Sequence, residues 1–149
     1  MKKSIGSKNE PSLLVIALGG EPATGKTTVF NALRTKLGDM KVFSYGLVRG
    51  MFDGKGNYVL GVFDGSVHEG TDKLSMAVQP HVVKFLNHLH SKSSRAVVYF
   101  EGDRLFNGSL FRSIPVAALK IFVLESGRVP ALYMIKQPQQ DFTRVRLND

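Results

Sequence analysis

From residue 13 to 18 the chain is continuously apolar, LLVIAL, and it then turns at once to two glycines. A short run of this kind suits a strand buried on both faces of a parallel sheet. The period then changes. Val29, Phe30, Leu33 and Leu37 fall on one stripe of a helix over 27–37, and Gly38 suits the left-handed residue that closes it. A second short strand is predicted at 42–45. In the glycine-rich stretch 46–70, VRGMF and NYVLGVF flank DGKG and read as a β-hairpin. Helical spacing returns from Leu74 to His90, with Ala77, Val78, Val82, Phe85, Leu86 and Leu89 on one buried face and a kink predicted at Pro80. SKSS is a loop, and AVVYFEGD is a third buried strand ending in acids. Residues 107–113 form a short helix stopped by Pro115, and 118–125 is a fourth strand. The two ends carry less pattern: 1–12 is a polar, loose leader, and 126–149 has Pro130, Pro138 and weak periodicity.

Strands alternating with helices predict a three-layer α/β domain on a parallel sheet. At 149 residues this is one domain. No apolar run approaches the ~18 residues a membrane span needs. Met1-Lys2-Lys3 is followed by polar residues where a signal peptide would be apolar. With no cysteine there is no disulfide framework and no Cys-ligated zinc, which agrees with a cytoplasmic protein. His68, His81, His88 and His90 lack the spacing of a helical metal site. The net charge of +8 favours polyanionic partners, nucleic acid or nucleotides.

The glycines after the first strand open a specific motif. Gly20-Glu21-Pro22-Ala23-Thr24-Gly25-Lys26-Thr27 fits G-x-x-x-x-G-K-[ST] at every fixed position, with Thr28 continuing it. In such a loop backbone N–H groups and a helix N-terminus converge on phosphate. Lys26 reaches the β- and γ-phosphates of ATP, and Thr27 holds Mg²⁺ through its hydroxyl. This is the nucleoside-triphosphate site that the sequence predicts; the bland alternative is a glycine-rich turn. A phosphate loop also needs a carboxylate near the metal, delivered by a neighbouring strand. Glu101 and Asp103, at the end of the third strand, fit that role. Arg104 either clamps a phosphate or pairs with these acids.

EGTDKLSMAVQPHVVKFL and FEGDRLF are more particular. Together with the phosphate loop they resemble the phage P-loop kinases that phosphorylate 5-hydroxymethyluracil in DNA. The resemblance rests on Gly70-Thr71-Asp72-Lys73-Leu74-Ser75-Met76-Ala77-Val78-Gln79-Pro80 and on Glu101-Gly102-Asp103-Arg104, and it spans about residues 13–124. It implies a three-layer P-loop NTPase domain of the nucleoside/nucleotide kinase kind, with an inserted β-hairpin. It also implies ATP and Mg²⁺ as cofactors, a modified pyrimidine in DNA as acceptor, and a site in the cytoplasm, the host's if the chain is phage-encoded. The tail departs from the pattern. Such kinases follow the fourth strand with an Arg-rich lid helix and a further strand, whereas 126–149 has Arg128, Arg144 and Arg146 among prolines and reads as a shortened lid or tail, a truncated reading frame, or a variant with its lid elsewhere.

Asp72 either caps a helix over 73–90 or takes the proton of the acceptor hydroxyl. Ser75 and Gln79, one helical turn apart, are placed to hydrogen-bond a base edge or phosphate, while Met76 and Val78 read as core. Arg49, Lys55 and Tyr58 with Phe52 and Phe63 form either a basic-aromatic nucleic-acid surface or an ordinary solvated hairpin. The function expected is therefore γ-phosphoryl transfer from ATP to a hydroxyl. Lys26, Asp72, Asp103 and Arg104 are the catalytic candidates, and Thr27, Glu101 and Asp103 the metal candidates. The alternatives are a kinase of free nucleosides or nucleotides and a catalytically weak ATP-binding module.

Overall fold

The structure is a computed structural model that describes residues 12–20, 26–65, 69–92, 94–102, 104–114, 118–124, 131–135 and 142–146. Eight strands make one sheet in the order β2 (Lys41–Tyr45), β3 (Val48–Phe52), β4 (Asn57–Leu60), β5 (Ala96–Glu101), β1 (Leu13–Gly20), β6 (Leu119–Leu124), β7 (Ala131–Ile135) and β8 (Phe142–Arg146). Its centre is parallel: β4, β5, β1 and β6 run the same way. Antiparallel strands extend both sides, β2 and β3 beyond β4, and β7 and β8 beyond β6.

Alternation along each central strand divides the core between two faces, as the pleat requires. Leu13, Val15, Ala17, Val98, Phe100, Leu119 and Ile121 point to one side. They are covered there by α2 (Gln79–His90), through Val82, Phe85, Leu86 and Leu89, and by α3 (Gly108–Arg112), through Leu110 and Phe111. Leu18, Val59, Tyr99 and Phe122 point to the other side, against Phe30, Leu33 and Leu37 of α1 (Lys26–Leu37). The result is a mixed α/β domain in three layers.

The end of α1 follows its sequence signal, and α3 has a side-chain cap. Gly38 takes φ +84°, and its N–H reaches the carbonyls of Arg34 and Thr35 at 3.3 and 3.2 Å. Asn107 caps α3, its side chain accepting the Leu110 N–H at 2.9 Å.

The long middle helix is corrected. Thr71–Lys73 is a single 3₁₀ turn and α2 begins only at Gln79. Proline has no N–H to donate and its ring collides with the carbonyl four residues back, so Pro80 starts the helix instead of kinking it. The segment before it turns on Ser75, whose hydroxyl accepts the Ala77 N–H at 3.1 Å. That turn throws Met76 (89% exposed) and Ala77 into solvent, against the expectation of core for Met76 and of a buried face for Ala77; Val78 is core as expected. Val29, expected on the buried stripe of α1, is also exposed.

The predicted hairpin is β3–β4, and it belongs to the main sheet: β4 pairs in parallel with β5, from Asn57↔Val97 to Val59↔Tyr99. Residues 126–149, read as weakly periodic, contain the antiparallel β7–β8 pair. The expected leader lies outside the described residues, apart from Ser12.

Candidate active site

In an open α/β sheet, ligands bind outside the carboxyl ends of the parallel strands where the chain's direction of winding changes. Here that place is β1, which lies between β5 and β6, and the G-x-x-x-x-G-K-T motif occupies the link from β1 to α1. Gly20 ends β1 with φ +138°, and Lys26 begins α1. Residues 21–25 and the side chains of Lys26 and Thr27 lie outside the described residues. The Thr28 side chain is exposed on the first turn of α1. Beneath the end of β1 the packing is close. A Cβ on Gly19 would stand 2.4 Å from the Phe106 ring, so no larger residue fits there without moving Phe106.

The acid-bearing strand is the direct neighbour of β1, with Leu18 opposite Glu101. Glu101 closes β5 half-buried, and Gly102 turns the chain with φ +109°. Asp103 lies outside the described residues. The Gly70–Asp72 segment docks against this turn. Thr71, the one fully buried polar side chain among the described residues, donates its hydroxyl to the Glu101 carbonyl at 2.6 Å. A Cβ built on Gly70 would lie 3.8 Å from Glu101 Oε1, and one on Gly102 would lie 2.6 Å from Thr71 Oγ1 and 3.6 Å from Asp72 Oδ1. Arg104 closes the arrangement, its Nη2 donating to the Asp72 carbonyl at 3.1 Å.

Asp72, Glu101 and Arg104 are thus gathered at one strand end beside β1. The Asp72 side chain is exposed and makes no capping bond, and no α-helix starts beside it, so the capping alternative fails. Ser75 and Gln79 do not present one helical face. Ser75 serves its own turn. The Gln79 amide is engaged at both ends, donating to Ser109 Oγ and accepting from Asn107 Nδ2, each at 3.1 Å.

Two contributors were not singled out by the sequence. The Gly61–Gly70 approach puts a Gly61 Cβ 2.7 Å from the Gly70 backbone carbon, and Val62 and Gly70 exchange both backbone hydrogen bonds, at 3.0 and 2.8 Å. That bridge, with a Lys73–Asp64 ion pair at 3.6 Å, holds the stem of Asp72. The signal lay in the glycines themselves, but Gly61 read as part of the hairpin and Gly70 as part of the motif, with nothing to pair them. The basic-aromatic hairpin surface divides in two. Phe63 packs on the α1 side, stacked on Phe30 with the Arg34 guanidinium 4.0 Å over its ring, whereas Phe52 and Tyr58 stack with each other on the α2 side.

Among the described residues no three His, Asp or Glu converge as a metal site, and no helix is long and apolar enough to cross a membrane. In comparisons with known proteins, no family model, curated protein or solved structure matches this chain.

Proposed function

We propose that the chain is an ATP- and Mg²⁺-dependent kinase of the P-loop NTPase class, acting in the cytoplasm on the hydroxymethyl group of 5-hydroxymethyluracil in DNA. One observation carries the reading. The G-x-x-x-x-G-K-T motif links β1 to α1, and the strand beside β1 ends on Glu101 with the Thr71-Asp72 segment bonded to it. Hard oxygen donors suit Mg²⁺, and the hydroxyl of Thr27 with the carboxylates of Glu101 and Asp103 would hold it. Bound there, the ion would neutralise phosphate charge during transfer. The backbone N–H groups of residues 20–27, Pro22 apart, and Lys26 bind the phosphates, which positions the γ-phosphorus for in-line attack. The acceptor oxygen forms its bond to that phosphorus while the bond to the β,γ-bridging oxygen breaks and ADP departs. The acceptor proton passes to the Asp72 carboxylate. Arg104, anchored on the Asp72 backbone, fixes that residue and adds positive charge at the strand end.

The β7–β8 hairpin on the β6 edge favours a second reading, because it stands where the resembling kinases carry a lid helix. Without a lid to exclude water, the chain would be an ATP-binding module of weak activity. Transfer from γ-labelled ATP to hydroxymethyluracil DNA, unmodified DNA and free nucleosides separates the readings. The proposal predicts label on the modified DNA. Label on free nucleosides alone identifies a small-molecule kinase, and ATP binding without transfer identifies the module.

A further inference from the structure

At the opposite end of the sheet, the β3–β4 turn, the start of β5 and the end of α2 enclose an open cavity of about 420 Å³. Phe52, Lys55, Tyr58, Lys92 and Arg95 line it. We propose that this cavity docks single-stranded DNA.

Three cations meet there from three separate elements. The turn is pressed onto the β5 lead: Gly56 has φ +99°, its carbonyl accepts the Val97 N–H at 2.8 Å, and a Cβ on it would stand 2.7 Å from the Arg95 carbonyl oxygen. Glycine at 56 is therefore what lets Lys55 and Arg95 share one wall. Lys92 follows the last turn of α2 and also suits that helix's negative end, but Lys55 and Arg95 lie on no helix. The acid of the turn, Asp53, is engaged by the turn itself, its carboxylate accepting from the Lys55 and Asn57 N–H groups at 2.7 and 3.0 Å and from the Asn57 amide at 2.6 Å. Among the described residues no carboxylate lines the cavity.

The aromatic side fits the same ligand. Phe52 and Tyr58 stack with centroids 4.5 Å apart and planes 14° from parallel, and both are half-buried at the cavity wall. A cationic groove beside an aromatic platform holds a single strand by its backbone and its base faces together. A duplex keeps those faces stacked and offers only phosphates. The cavity lies at the start of β5 and the candidate active site at its end, five residue steps or roughly 17 Å away. At ~3.4 Å per stacked nucleotide, about five nucleotides cover that distance. That the docked strand is also the acceptor rests on the kinase reading; the docking does not.

The test is fluorescence anisotropy of a labelled thymidine oligonucleotide titrated with the full chain, without ATP, across a salt series. The Lys55→Ala/Lys92→Ala double variant should weaken binding about tenfold or more and flatten the salt slope by roughly 1.4, two phosphate contacts on a single strand. Phe52→Ala should weaken binding about tenfold with the slope unchanged. If alanine loosens the hairpin, Phe52→Leu keeps the apolar bulk and removes the π-face. Unchanged affinity in the double-lysine variant, unchanged affinity in both Phe52 variants, or a duplex bound as tightly as the single strand overturns the proposal. A chain that binds the strand as described yet transfers no phosphoryl group loses the kinase reading and keeps this one.

Discussion

Thr71 donates its side-chain hydroxyl to the backbone carbonyl of Glu101 at 2.6 Å, joining segments thirty residues apart. Thr71 is buried and Glu101 half-buried, and the bond fixes the position of Asp72 relative to the end of β5. Thr71→Val keeps the shape and removes the donor, so it should cost about 1–2 kcal/mol in urea unfolding. Gly102→Ala meets the same hydroxyl at 2.6 Å from a backbone at φ +109°, and the backbone strain alone should cost about 1–3 kcal/mol. Wild-type unfolding midpoints in both variants would show that the docking is incidental.

Glu101→Gln and Asp103→Asn should separate the metal roles. Whichever carboxylate lies nearest Mg²⁺ should, when neutralised, lower turnover by orders of magnitude and raise the Mg²⁺ concentration needed for half-maximal rate. Wild-type Mg²⁺ dependence in both variants would make the acidic strand end purely structural.

Asp53 gives a pH signature independent of function. Partial burial alone would raise its pKa. The hydrogen bonds from the Asn57 side chain and from the Lys55 and Asn57 backbone, with the Lys55 charge, outweigh that and hold the carboxyl below its usual range. A group with a depressed folded pKa contributes stability that is complete above its unfolded pKa, ~3.9 for Asp, and is lost as pH falls through the folded value. The difference in unfolding midpoint between wild type and Asp53→Ala should therefore be constant near neutrality and shrink below about pH 4. A difference that grows on acidification would contradict the turn geometry.

Asp72→Asn should reduce phosphoryl transfer about a hundredfold or more while leaving ATP affinity and unfolding midpoint close to wild type, since the side chain is exposed and makes no capping bond. Equal losses of ATP affinity and transfer would assign Asp72 to nucleotide binding.

Local chemistry was legible in the sequence where one residue decides the backbone. Gly38 ended α1, and the DGKG turn set the β3–β4 hairpin. The three layers followed from the change between strand and helix periods. Three things were hidden. Pro80 reads equally as a kink or as a first-turn residue, and the choice depends on the Ser75 turn before it. Met76 falls on an apolar stripe only if that segment is helical. The β7–β8 pair forms against the β6 edge, a long-range pairing with little local pattern to announce it. In the candidate site, the motifs gave the residues and their strands but not the Thr71 bond or the Gly61–Gly70 approach, because both depend on which segments meet.

Lys26→Ala tests the central claim most directly, with ATP binding and γ-phosphoryl transfer to hydroxymethyluracil DNA measured on the same preparation beside wild type. The variant removes the motif's one loop cation, so ATP should bind at least tenfold more weakly and transfer should fall below detection. The unfolding midpoint should not change. Wild-type ATP affinity and wild-type transfer in Lys26→Ala would contradict the account.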